Sequence, residues 1–287
     1  MWVTLFFLFM YIQRVIIDMV KYMKKRVISA IVALIIVVPL LILGGYWFYI
    51  GACVIGVIGF NEFLLVREKE KKLPLIVKSL SMAAFILLMM SSISNSYTFK
   101  IDYRSLSLVM LCCLLPLLFY PDRKEYDADD AFYLLGGVFF LGTAFNFLIT
   151  IRNMSLDYLV YIMLVTFMTD TFAHFFGTKL GKIKLCPKIS PNKTVEGALG
   201  GTFFGTFIGV VYFITFIKID ANLLSVCLIS LFLSVMAQFG DLFFSSVKRK
   251  YGVKDYGNIM PGHGGVLDRV DSLLFAILAF TFAITFF

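Results

Sequence analysis

Apolar runs close to twenty residues long recur along this 287-residue chain, with short charged stretches between them. A soluble domain of this length has no interior large enough to hide them all. Hydrophobic residues make up 60% of the chain and charged ones only 15%, against about 25% charged in an ordinary soluble domain. The solvent for most of the chain is therefore lipid. In lipid every backbone polar group must be satisfied within its own element, so the runs are helices. The expectation is an all-α integral membrane protein with about nine transmembrane helices, near 27–43, 47–66, 74–91, 104–120, 132–150, 157–176, 197–217, 221–247 and 268–286. Turn signals such as Gly44–Gly45, Pro121–Asp122 and Asp220–Ala221 separate them.

The basic residues supply an orientation. With the N-terminus in the cytoplasm, all of the 26 Lys and Arg fall on cytoplasmic segments except Lys100, Arg104, Arg152 and Lys218. This satisfies the positive-inside rule and puts the C-terminus outside. The net charge of +8 divides among short loops, which suits lipid headgroups and phosphorylated substrates rather than nucleic acid. The five cysteines form no CxxC pair and read as small apolar fillers, with no disulfide framework or zinc site. Residues 1–22 read as an interfacial segment, an upstream start or an appended extension. Helices one to five occupy 23–156, and 157–287 forms a catalytic half. Two long cytoplasmic loops, 177–196 and 248–267, are rich in Gly, Lys and Pro and are expected to form the site.

Acidic residues inside a membrane are costly and mark function. Asp241 lies roughly 10 Å along its helix from the first basic residue, Lys248. Asp268 and Asp271 are three apart and share one helix face. The apolar segment after them, Ser272 to Phe287, rises only about 24 Å, so the last helix must begin near the aspartates. Carboxylates converging there repel each other unless a cation intervenes, and oxygen ligands of this kind suit Mg²⁺ with phosphate. A plain N-terminal cap explains Asp268 and Asp271 but leaves Asp241 without a role. Gly262, Gly264 and Gly265 leave backbone N–H groups open to phosphate. Lys248, Arg249, Lys254, His263 and Arg269 add positive charge, and Lys188, Ser190, Lys193 and Thr194 add donors from the other loop. Asp170 and His174, four apart, read equally as a structural pair or a catalytic one. Glu62, beside Asn61, carries less information still.

The segment Ser245 to Asp271 resembles the signature of the phosphatidate cytidylyltransferases, or CDP-diacylglycerol synthases. The matching residues are Ser245, Lys248-Arg249, Lys254-Asp255, His263-Gly264-Gly265, Asp268-Arg269 and Asp271. Lys188 to Gly201 is similar to the family's Ser-Pro-x-Lys-Thr-x-Glu-Gly element. Asp170 resembles its Asp before an Ala-Tyr pair, although this chain has Ala173-His174. The resemblance implies that CTP and phosphatidic acid react to CDP-diacylglycerol and pyrophosphate, with Mg²⁺ required as one or two metal ions. On this basis Asp241, Asp268 and Asp271 are the expected metal ligands. Lys248, Arg249, His263 and Arg269 complete the catalytic set. Ser190, Lys193, Thr194, Glu196, Lys254, Asp255, Gly264, Gly265 and Asp170 are the expected substrate-binding residues. The partners are CTP, phosphatidic acid and membrane lipid, with a homodimer left open. A CTP-dependent polyprenol or phytol kinase is the nearest alternative, and an ion-coupled transporter an alternative from another class.

Overall fold

The structure is a computed structural model that describes residues 28–29, 31–91, 103–120, 125–217, 221–260, 262 and 264–284. The expected extension 1–22, the turn at Pro121–Asp122, and His263 lie outside the described residues. The helices are α1 (Ile31–Leu43), α2 (Gly45–Arg67), α3 (Leu75–Met90), α4 (Tyr103–Leu114) and α5 (Pro116–Phe119). They continue with α6 (Ala128–Met154), α7 (Leu156–Lys179), α8 (Val195–Phe216), α9 (Leu223–Lys250) and α10 (Leu267–Ala283).

Among the described residues five helices, α2, α6, α7, α8 and α9, are long and apolar enough to cross a membrane. This corrects the nine-span expectation. The 16 residues of α3 rise about 24 Å and the 17 of α10 about 26 Å, both short of a ~30 Å hydrocarbon core. The run after Tyr103 breaks into a 12-residue and a 4-residue piece at Pro116, which has no N–H to continue the ladder. Several apolar runs therefore serve as helices packed on other helices. Ala84, Phe85, Leu88 and Met89 of α3, for instance, are fully buried. The bundle itself is all-α, as expected, with one short addition in a loop. Loop 177–196 folds into an antiparallel hairpin of β1 (Lys184–Cys186) and β2 (Ser190–Thr194), with Lys184 opposite Thr194 and Cys186 opposite Ser190.

Small residues set the spacing of the C-terminal helices. The buried positions of α8 are Gly197, Gly201, Gly205, Gly209 and Phe213, four apart and so on one face. A Cβ at Gly201 would lie 2.6 Å from the Thr169 carbonyl oxygen, and one at Gly197 2.6 Å from that of Ala173. Only glycine lets α7 and α8 approach this closely, the packing device typical of helices in lipid. Hydroxyl pairs then tie α7 to α9, with Thr169 and Ser234 2.6 Å apart and Tyr161 and Ser230 2.7 Å apart.

The charged residues gather where α2 and α9 end and α6 and α10 begin. Arg67 Nε donates to Asp130 Oδ1 at 2.8 Å, and Lys71 Nζ lies 2.7 Å from Asp130 Oδ2 and 2.9 Å from Asp127. Asp127 and Asp130 also form a capping box that starts α6. Arg67 sits 5.7 Å from the Tyr251 ring just beyond α9. At the opposite end of the bundle Arg152 donates to the Leu41 and Ile42 carbonyls closing α1.

Asp130 is fully buried, so Asp130→Ala takes the buried carboxylate from Arg67 and Lys71, which keep only the more exposed Glu70 and Asp127. The expected loss is about 3–5 kcal/mol, read as a lower thermal midpoint in detergent. Partial burial raises the Asp127 carboxyl, but Lys71 and the Asp130 N–H outweigh it and hold the group below 3.8. Its stabilisation is accordingly present above that value and lost as pH falls through the lowered one.

Candidate active site

The start of α10 is held by two carboxylates that do different work. Val266, at the N-cap, offers no side-chain cap, and the first N–H groups of a helix have no partner of their own. Glu62 of α2 fills that gap. Its Oε1 accepts from Val266 N at 3.0 Å and its Oε2 from Leu267 N at 2.8 Å. Asp268 ties the preceding loop to the same turn. Its Oδ2 accepts from Tyr256 N at 2.8 Å and Gly265 N at 3.0 Å, while Oδ1 lies 2.7 Å from Lys248 Nζ. The Lys248 ammonium also lies 5.4 Å from the Tyr256 ring. Burial pushes the Tyr256 phenol far above its usual range, which keeps it a neutral donor to the Phe244 carbonyl. The helix begins at Leu267, one residue before Asp268.

A second acidic group forms one turn deeper. Asp170 on α7, Asp241 on α9 and Asp271 on α10 lie within Coulombic range of one another. Asp271 is buried, and its Oδ1 accepts from Ser272 N at 2.8 Å. Asp241 is half-buried and lies 2.7 Å from Lys193 Nζ, with the Ser245 hydroxyl donating to its other oxygen at 3.2 Å. Lys193 also acts on Asp170, and Lys248 on Asp271. Two lysines, one from the hairpin and one from α9, thus supply the positive charge around three carboxylates.

The hairpin residues play several parts. Thr194 is buried and caps α8 by accepting from Gly197 N at 3.1 Å. Both Glu196 oxygens accept from Ile183 N at 3.2 Å, which holds the hairpin on α8. Ser190 begins β2 and is half-buried. Arg249 joins hairpin to loop, donating to the Ile189 carbonyl at 3.2 Å and the Val253 carbonyl at 3.1 Å. Lys254, Asp255 and Arg269 are exposed. Gly264 has φ +83°, a conformation that suits glycine, and its carbonyl accepts from Met260 N at 3.0 Å. His174 is exposed, and among the described residues no hydrogen bond joins it to Asp170. Asp170 instead faces the acids of α9 and α10. Sequence reasoning set Glu62 aside, and the signal available was an acid within the apolar run of α2.

Among the described residues no group of three or more His, Cys, Asp or Glu meets metal-cluster spacing. Both oxygens of Asp268 are already engaged by Lys248 and backbone N–H groups. The Asp170, Asp241 and Asp271 group has the chemistry a hard cation requires. Its donors are carboxylate oxygens, and ammonium groups already balance their charge.

Acids, lysines and a glycine turn thus meet at the charged end of a bundle that holds five membrane-length apolar helices among the described residues. The sequence matches the cytidylyltransferase family over residues 24–287, and the chain belongs to that family. A phosphatidate cytidylyltransferase of Staphylococcus haemolyticus is 35% identical over 255 residues, covering 89% of this chain and 96% of its own. One from Bacillus subtilis is 36% identical over 271 residues, covering 92% and 98%. One from Staphylococcus aureus strain COL is 35% identical over 257 residues, covering 89% and 96%.

Lys248→Ala removes the ammonium from a buried carboxylate, and an expected loss of about 3–5 kcal/mol follows. Lys248→Met combined with Asp268→Asn leaves no unpaired charge, and its thermal midpoint should lie above that of the single variant.

Proposed function

We propose that this chain transfers the cytidylyl group of CTP to phosphatidic acid, giving CDP-diacylglycerol and pyrophosphate for phospholipid synthesis. Family membership and the phosphatidate cytidylyltransferases among its relatives carry this reading. They favour it over a CTP-dependent lipid kinase and over an ion-coupled transporter. The protein works in the membrane, and the basic loops support a site facing the cytoplasm of a cell's inner membrane.

In the reaction a phosphatidate oxygen bonds to the α-phosphorus of CTP. The bond from that phosphorus to the bridging oxygen breaks, and its electron pair leaves with pyrophosphate. The nucleophile is already ionised, so no strong base is required. Positioning and charge neutralisation supply the rate. Residues 157–287 contribute most of the machinery. Lys193 and Lys248 sit beside the acidic group and are suited to hold phosphate oxygens as the acids are drawn elsewhere. Lys254 and Arg269 present charge toward an arriving triphosphate, while the Gly265 N–H is held by Asp268. Arg249 and Glu196 hold the hairpin against α9 and α8, keeping Ser190 and Lys193 over the site. Thr194 contributes through the start of α8.

Asp241 and Asp271, with Asp170 beside them, would hold Mg²⁺, which neutralises phosphate charge when bound. Asp268 serves the same centre by fixing the loop and the first turn of α10. The direct test incubates purified protein with labelled CTP, phosphatidic acid and Mg²⁺, and the expected product is labelled CDP-diacylglycerol. Asp271→Asn should lower turnover by about 100-fold or more while the protein stays folded. Full activity with an unchanged Mg²⁺ dependence would overturn the metal assignment.

A further inference from the structure

We propose that Glu62 is a positioning residue for the reaction, setting the first turn of α10 from beneath and leaving the loop before it bare for substrate. The inference rests on the cytidylyl-transfer reading and adds to it a residue from the N-terminal half of the chain. Glu62 is 1% exposed and gives both oxygens to Val266 N and Leu267 N. A helix start is usually capped by a side chain just before it. Here that stretch is Gly264, Gly265 and Val266, which offers none. The cap comes instead from a helix roughly two hundred residues earlier in the chain.

The loop is shaped around that carboxylate. A Cβ at Gly265 would lie 2.5 Å from Glu62 Oε2, and one at Gly257 would collide with Oε1. Two glycines thus let the backbone close over the acid from either side. The consequence reaches the proposed reacting centre directly. Leu267 precedes Asp268, and Asp271 lies one turn further on. A shift of this turn moves the Asp268–Lys248 pair and carries Asp271 away from Asp241 and Asp170. Displacements of about 1 Å in a catalytic constellation cost about 100-fold in rate. Local capping by Ser or Asp would add a side chain to the loop where the backbone closes on the Glu62 carboxylate.

The test compares Glu62→Gln, Glu62→Ala and Gly257→Ala with wild type in the full-length protein. It reads kcat, the KM for phosphatidate, thermal midpoint and amide exchange. Glu62→Gln keeps one acceptor, so its kcat should fall between wild type and Glu62→Ala, which should lose about 10- to 100-fold. Phosphatidate KM should change little, and faster exchange should be confined to residues 262–268. Gly257→Ala should lower kcat in the same way by pushing on the carboxylate. Combined with Glu62→Ala it should cost nothing further, because the colliding atoms are gone. Wild-type kcat in both Glu62 variants despite faster exchange at 262–268 would overturn the proposal. So would additive losses in the double variant with exchange raised along all of α10. Absence of CDP-diacylglycerol from the wild-type reaction would instead refute the cytidylyl-transfer reading, and the exchange pattern would still decide whether Glu62 holds this turn.

Discussion

A charge taken out of water must be paired or hydrogen-bonded, and every buried acid at the charged end of this bundle obeys that constraint. Asp130 is met by Arg67 and Lys71, Asp268 by Lys248 and two backbone N–H groups, and Glu62 by the N–H groups that open α10. Each pairing joins different elements, and those made by Asp130 and Glu62 join elements distant in sequence. α2 is tied to α6 through Asp130 and to α10 through Glu62, and α9 to α10 through Asp268. The requirement to compensate charge is thus also what brings the helix ends together.

The glycine seam of α8 does complementary work. It draws α8 so close to α7 that a Cβ at these glycines would collide with Thr169, Ala173 or Val165, on the helix that carries Asp170. The hairpin that enters α8 brings Lys193 onto Asp241. Three acids from three helices then share two lysines. In the proposed reaction, a phosphate that attracts the ammonium groups would leave the carboxylates to a cation.

Much of this was legible in the chain itself. Asp241 stood out because an acid within an apolar run demands an explanation, and Asp268 and Asp271 because the last apolar segment is too short without them. Their helix does start beside Asp268, although its 17 residues are too few for the crossing that the argument assumed. Hydropathy misled on the number of spans, since burial against protein and exposure to lipid favour the same residues. Leu88 of α3 is fully buried in protein, whereas Phe203 of α8 is 65% exposed, and the two look alike as letters. The hairpin was missed because its few residues carry turn-like composition, with Pro187 and Pro191 beside its pairing positions.

By itself the sequence determined the solvent, the helical character of the spans and the residue types available for phosphate chemistry, all properties of local composition and spacing. Only the tertiary structure decided which acids face one another and which are committed to holding the fold. Asp268 and Asp271 are three residues apart on one helix, yet one is engaged by backbone and lysine while the other joins Asp170 and Asp241. Glu62 was the plainest case. Its role exists only because α2 carries it to the unfilled N–H groups of a helix about two hundred residues away, and no local pattern encodes that distance.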